Sequence, residues 1–192
     1  EKLRPNPYSP YAKSKLKAIN KSLNLNTIII TSKDQSQYIK KEKDIYIFNK
    51  LGKKFKNFIS KKVGIKNSIF ISFGCRWIFK KKDIKFFSEN IINFHCTRLP
   101  YDAGGGGYSW QILRNDRINN QLVHMIEPKI DGGKILMQKQ SLFPSSCKIP
   151  IDFENYHNVR LIIFYKEFIK KLKQEKFFNL EQQPGYFGRY NS

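Results

Sequence analysis

Apolar and polar positions along this chain repeat on two periods, and the switches between them mark out the elements. Tyr8 to Leu23 has the spacing of an amphipathic helix, and Asn26 to Thr31 is a short β-branched run that predicts a buried strand. A charged loop, Lys33 to Lys43, leads to a second strand over Asp44 to Phe48. Between Leu51 and Val63, Phe55, Phe58 and Ile59 recur at helical spacing with lysines on the other face. Ser68 to Phe73 predicts a third strand stopped by Gly74, Lys80 to Glu89 a short helix, and Asn90 to Phe94 a fourth strand. Beyond Pro100 the texture changes. Gly104 to Gly107 breaks regular structure, and Tyr108 to Arg114 reads as a helix. Gln121 to Glu127 and Lys134 to Gln140 read as strands joined by Pro128 to Gly133. Asp152 to Lys173 predicts a long helix, and residues 175–192 an irregular tail.

Short apolar strands between helices predict an α/β fold with a doubly wound, mostly parallel sheet. In such sheets ligands sit beyond the carboxyl ends of the strands, so the fourth strand delivers Asn93 and His95 to the expected site. No internal repeat and no domain boundary stands out, so residues 1–192 are expected to form one domain.

Composition narrows the class. Of 192 residues, 40% are hydrophobic, with 16 Phe and 10 Tyr, enough for a core and against a disordered chain. No apolar stretch approaches a membrane span, and no secretory signal is visible. Cys75, Cys96 and Cys147 are widely spaced and form neither a disulfide framework nor a zinc pattern, so a reducing cytoplasm is the expected compartment and no metal is expected. The net charge is +21. Most of it is Lys spread over several segments, whereas a phosphate track would concentrate it, so the lysines read as solvated faces. A basic nucleic-acid-binding module on a degenerate enzyme fold is the reading of another class that this charge motivates.

The informative stretch is Asn93-Phe94-His95-Cys96-Thr97-Arg98-Leu99-Pro100, followed 36 residues after His95 by Asp131-Gly132-Gly133 ahead of an apolar strand. Singly, these are a capping Asn, a core His and a turn Asp; together and in this order they point to a site. Asn93 and His95, two apart on an extended segment, face the same side of a strand. An amide donor and an imidazole can stabilise an oxyanion, and a carboxylate can orient the imidazole, raise its pKa and take a proton through a water.

The pattern Asn-x-His, a small hydroxyl residue (Thr97), Leu99-Pro100 and a later Asp-x-Gly resembles the 10-formyltetrahydrofolate-dependent formyltransferases. That family includes glycinamide ribonucleotide transformylase, methionyl-tRNA formyltransferase and the sugar N-formyltransferases. The resemblance is good from Ser68 to Leu142 and weak on the flanks. It implies a Rossmann-like formyltransferase fold with 10-formyltetrahydrofolate as formyl donor and Asn93, His95 and Asp131 as catalytic residues. It also implies a folate pocket formed by Arg76, Trp77, Ile78 and Phe79 with Glu127, Lys129 and Ile130. Thr97, Tyr101, Gly104, Tyr108 and Trp110 fall on the substrate side. His124 reads as structural, and His157 has no partner that the sequence names.

The chain departs from the family's pattern in places. Cys96 and Arg98 stand where Pro and Leu are common, and Tyr101-Asp102-Ala103 stands where a basic residue is usual. Nothing upstream of Tyr8 reads as the family's opening strand, so either that strand precedes Glu1 or the sheet is one strand short. The extra domain of methionyl-tRNA formyltransferases is not expected within these 192 residues. Tyr101, Tyr108, Trp110 and the tail Tyr186-Phe187-Gly188-Arg189-Tyr190 favour the sugar enzymes, which implies a nucleotide-linked amino sugar as substrate and O-antigen assembly as the setting. The purine-pathway transformylase is the alternative. Homodimerisation is left open.

Overall fold

β-Branched and aromatic runs become strands wherever the flanking residues can turn, and the apolar stripes between them become helices. The computed structural model describes residues 10–33, 44–75, 77–99, 102–104, 107–174 and 189–191. They fall into two compact units, 1–69 with 75–78 and 70–74 with 79–192.

In the first unit, helix α1 (Pro10–Ser22) leads to β1 (Ile29–Thr31), which pairs in parallel with β2 (Ile45–Ile47). Helix α2 (Lys53–Phe58) continues as a π-helical turn, Ile59–Val63, and ends at Gly64, whose φ of 77° suits a residue without Cβ. Phe58 packs on Tyr46 and Phe48, with ring centres 4.4 and 5.2 Å apart. Helical spacing in the sequence thus produces an aromatic cluster.

The second unit holds β3 (Phe70–Phe73), α3 (Lys81–Phe86), β4 (Ile91–His95), β5 (Asp102–Gly104) and α4 (Gly107–Leu113). It continues with β6 (Ile118–Met125), β7 (Ile135–Leu142), α5 (Pro150–Gln174) and β8 (Arg189–Asn191). Four strands form a sheet in the order β3-β4-β6-β7. β3 and β4 are parallel, while β6 runs antiparallel to both β4 and β7. Three of the five strand pairings among the described residues are parallel, so the α/β class holds and the sheet is mixed. The β6–β7 pair is antiparallel because residues 126–134 join the two strands with no helix to carry the chain back.

Alternation along β4 separates two functions. Ile92 and Phe94 alternate with Ile91, Asn93 and His95. Phe94 is 2% exposed and packs on Phe73, Phe164, Tyr165 and Phe168 with ring centres 4.7 to 5.9 Å apart. The last three lie on α5, whose buried residues Phe153, His157, Leu161, Phe164, Tyr165 and Phe168 recur every three or four positions. Asn93 and His95 therefore occupy the face turned away from α5.

Polar residues buried in β6 are held by specific bonds. Asn120 donates to the Thr97 carbonyl at 2.6 Å and accepts from Gln138 at 2.9 Å; Asn119 donates to Ser141 at 3.2 Å and accepts from His157 at 2.9 Å. The tail is not irregular throughout: Arg189–Asn191 forms a parallel pair with Asp102–Gly104. The upstream stretch expected to lack a strand, the tail residues 186–188, Tyr101 and Arg76 lie outside the described residues.

Candidate active site

β4 brings Asn93 and His95 to one face, and the turn before β7 brings Asp131 to meet them. His95 Nε2 lies 3.3 Å from Asp131 Oδ2, with the side chains 20% and 11% exposed. The turn is held close by Gly133: a Cβ there would stand 1.9 Å from the Met125 carbonyl oxygen, so only glycine lets the loop approach the end of β6. Asp131 itself has φ 53°, a left-handed conformation that Asp and Asn tolerate best among residues with a side chain. Burial alone would lower the His95 pKa. Hydrogen bonding to Asp131 and to the neighbouring Cys96 thiol, with the charges of both, outweighs it and raises the pKa to about 10. His95 is therefore an imidazolium at neutral pH.

A fourth residue joins them that the sequence reading set aside as structural. His124, 2% exposed, stands opposite Asn93 across the β4–β6 pairing, and Asn93 Nδ2 lies 3.2 Å from its Nε2. His124 Nδ1 is 2.8 Å from the Met125 carbonyl, which can only accept, so Nδ1 carries the proton. Burial, then the charge of His95, lowers its pKa to about 4. The neutral ring thus offers Nε2 as acceptor and fixes the Asn93 amide. Its Nε2 also stands 4.0 Å from Asp131 Oδ1. The one sequence signal for this role is a histidine within the strand that runs into the Asp131 turn.

The residues expected on the substrate side separate. Thr97 and Tyr108 line one small, shallow cleft together with Cys96, Arg98, Asp102, Gly107, Gln111 and Arg114. Tyr108 packs its ring against Phe143 and Phe153. Trp110 is 45% exposed on α4 and is not among the cleft's lining residues; Gly104 lies in β5. Asp102 binds Arg98 at 3.0 Å and Arg114 at 2.9 Å, and Arg98 also pairs with Asp116 at 2.5 Å. The sequence reading missed this network, because its members are drawn together by the turn between β4 and α4.

Of the residues assigned to the folate pocket, Trp77 and Ile78 belong to the first unit, and Phe79, Glu127, Lys129 and Ile130 to the second. Ile78 is 68% and Ile130 48% exposed. Trp77 rests edge-on against Phe55, 5.6 Å away, and Phe79 against Phe87, 6.1 Å away. Among the described residues no helix is long and apolar enough to cross a membrane.

WlaRD, a sugar 3N-formyl transferase solved in the presence of dTDP and 5-N-formyl-THF, matches with a TM-score of 0.71 at 17% identity, over 93% of this chain and 66% of that one. The fold is that of the formyltransferases. The phosphoribosylglycinamide formyltransferase from Anaplasma phagocytophilum matches with a TM-score of 0.66 at 15% identity, over 93% of this chain and 94% of that one. In sequence, the phosphoribosylglycinamide formyltransferase of Haemophilus influenzae is 36% identical over 59 residues. That match spans 30% of this chain and 28% of the relative, so the chain aligns with under a third of that relative's length. No protein-family model matches the chain.

Proposed function

We propose that this chain acts as a single catalytic domain. It would transfer the formyl group of 10-formyltetrahydrofolate to the primary amine of a nucleotide-linked amino sugar, such as a dTDP-4-amino-sugar. The observation that carries the reading is the contact of His95 with Asp131, beside Asn93 on the face of β4 turned away from α5, within a formyltransferase fold. WlaRD, solved with dTDP and a formyl-folate, supports both the donor and the substrate class. The 59-residue match favours a second reading, formylation of glycinamide ribonucleotide.

Glu127, Lys129 and the exposed Ile130 of the second unit would hold the folate, and the bound donor would supply the formyl carbon. This chain's residues do the rest. His95, kept cationic, and the Asn93 amide, aimed by His124, stabilise the negative charge that develops on the formyl oxygen as the amine adds. Asp131 holds the imidazolium and takes the amine's surplus proton through a water. Such an enzyme would work in the cytoplasm, where its substrates are made.

Purified protein incubated with 10-formyltetrahydrofolate and either a dTDP-4-amino-sugar or glycinamide ribonucleotide tests the reading. The expected product is the formamido sugar, identified by mass. Turnover of the ribonucleotide alone would move the assignment to purine synthesis, and turnover of neither would remove it.

A further inference from the structure

We propose that Asn120 is a positioning residue for His95: a buried amide that ties the end of the catalytic strand to the strand leading on from Asp131, and so holds the imidazole against its carboxylate. Its effect on turnover rests on the formyl-transfer reading; its effect on the ring does not.

Neighbouring residues of a strand point to opposite sides. Asn119 meets His157 of α5, whereas His124 meets Asn93. Asn120 and His124 share the other face of β6, so Asn120 lies on the catalytic side. The pairing of β4 with β6 ends with His95 opposite Leu122. Continued, it would set Thr97 opposite Asn120, and there the Asn120 side chain takes over from the backbone. Its Nδ2 donates to the Thr97 carbonyl at 2.6 Å, and the residue is 1% exposed. A carbonyl only accepts, so the amide has one orientation, and its Oδ1 is left to accept from Gln138 Nε2 at 2.9 Å.

Gln138 belongs to β7, the strand that follows the Asp131 turn. One side chain thus grips both segments that the catalytic contact joins: the one that has just delivered His95 and the one that starts after Asp131. His95 Nε2 and Asp131 Oδ2 meet at 3.3 Å between those segments. Ahead of His95, His124 fixes Asn93; beyond it, where the chain leaves the sheet, Asn120 supplies the hold. Misplacing a catalytic group by about 1 Å costs on the order of a hundredfold in rate, so an anchor beside His95 governs turnover as well as folding.

Three variants test this. Gln138→Met keeps the side chain's length and removes the donor; Asn120→Ala removes the tie. Ser141→Ala is the control, since it deletes an amide bond of the same strand on the opposite face. Histidine carbon-13 NMR of the folded full chain, from about pH 6 to 11, reads the ring, with initial-rate kinetics and urea unfolding alongside. Wild-type His95 should titrate near its value of about 10, which the Asp131 contact sustains. The ionisable groups whose charges reach the ring are Asp131, Cys96, His124 and His157, and none is altered. In Gln138→Met and Asn120→Ala the midpoint should fall by about one pH unit, with kcat down about five- to tenfold and KM within about twofold. Ser141→Ala should lose stability and leave the midpoint and kcat unmoved. If Asn120→Ala does not fold, Gln138→Met decides. An unmoved His95 midpoint in the folded variant, or an equal fall in Ser141→Ala, overturns the proposal whatever happens to stability. A shifted midpoint with wild-type kcat overturns the part that concerns turnover. Should the wild type transfer no formyl group, the titration alone decides, so the two readings fail separately.

Discussion

Replacing Asp131 by Asn isolates charge from shape. Asn tolerates the left-handed φ of 53° as Asp does, so the turn survives, whereas Ala there would add backbone strain. The carboxylate 3.3 Å from His95 is lost. The gap between a His95 pKa of about 10 and its ordinary 6.5 corresponds to about 5 kcal/mol in favour of the charged ring, and Asp131 with Cys96 supplies it against burial. Without Asp131, the first of the contributions that oppose burial is gone and the His95 pKa falls. Turnover should fall on the order of a hundredfold or more, with the circular dichroism spectrum unchanged. The pH dependence separates this account from simple damage. In the wild type, the His95 contribution is constant at neutral pH and is lost as pH rises through about 10; in the variant, residual activity should climb as pH is lowered. The assay is initial-rate formation of the formylated product between pH 5.5 and 9. A folded variant that keeps more than about a third of the wild-type rate, or whose profile matches the wild type, refutes the reasoning.

Three further outcomes are expected. His124→Leu fills the same buried space but removes the acceptor for Asn93; kcat should drop about tenfold with KM little changed, and equal kcat would show that the Asn93 amide needs no fixing. Gly133→Ala drives a methyl group into the Met125 carbonyl and should cost about 3 kcal/mol in urea unfolding; a loss under about 1 kcal/mol would mean the turn can shift freely. Stability should peak near pH 6.5. Below it, burial of His124 and His157, with pKa values of about 4 and 3, favours the protonated unfolded chain; above it, the raised His95 pKa makes stability fall as pH rises through about 10. Unfolding at pH 4, 6.5 and 9.5 checks this, and equal midpoints would contradict it.

What was legible in the sequence was local. Alternation placed Asn93 and His95 on one face of β4, and Asp-Gly-Gly before an apolar run placed the turn that carries Asp131. What escaped depends on distant pairing. His124 meets Asn93 only through the β4–β6 register. Residues 189–191 find residues 102–104 through three-residue strands with no pattern of their own. The start of β6 was read three residues late, because Ile118-Asn119-Asn120 looks like loop until its amides find partners inside. Arg98 and Asp102 read as departures from a motif; their meaning lies in one another.

Those amides bear on how the chain avoids misfolding. Sliding β6 by two residues against its neighbours keeps every side chain on its proper face, so apolar burial scarcely penalises the error. The amides penalise it. Displaced, Asn119 and Asn120 lose Ser141, His157, Gln138 and the Thr97 carbonyl together, and each stranded buried group costs about 1–3 kcal/mol. A two-residue slip would also carry His124 past Asn93. The strand's least hydrophobic stretch therefore proofreads the alignment on which the catalytic face depends.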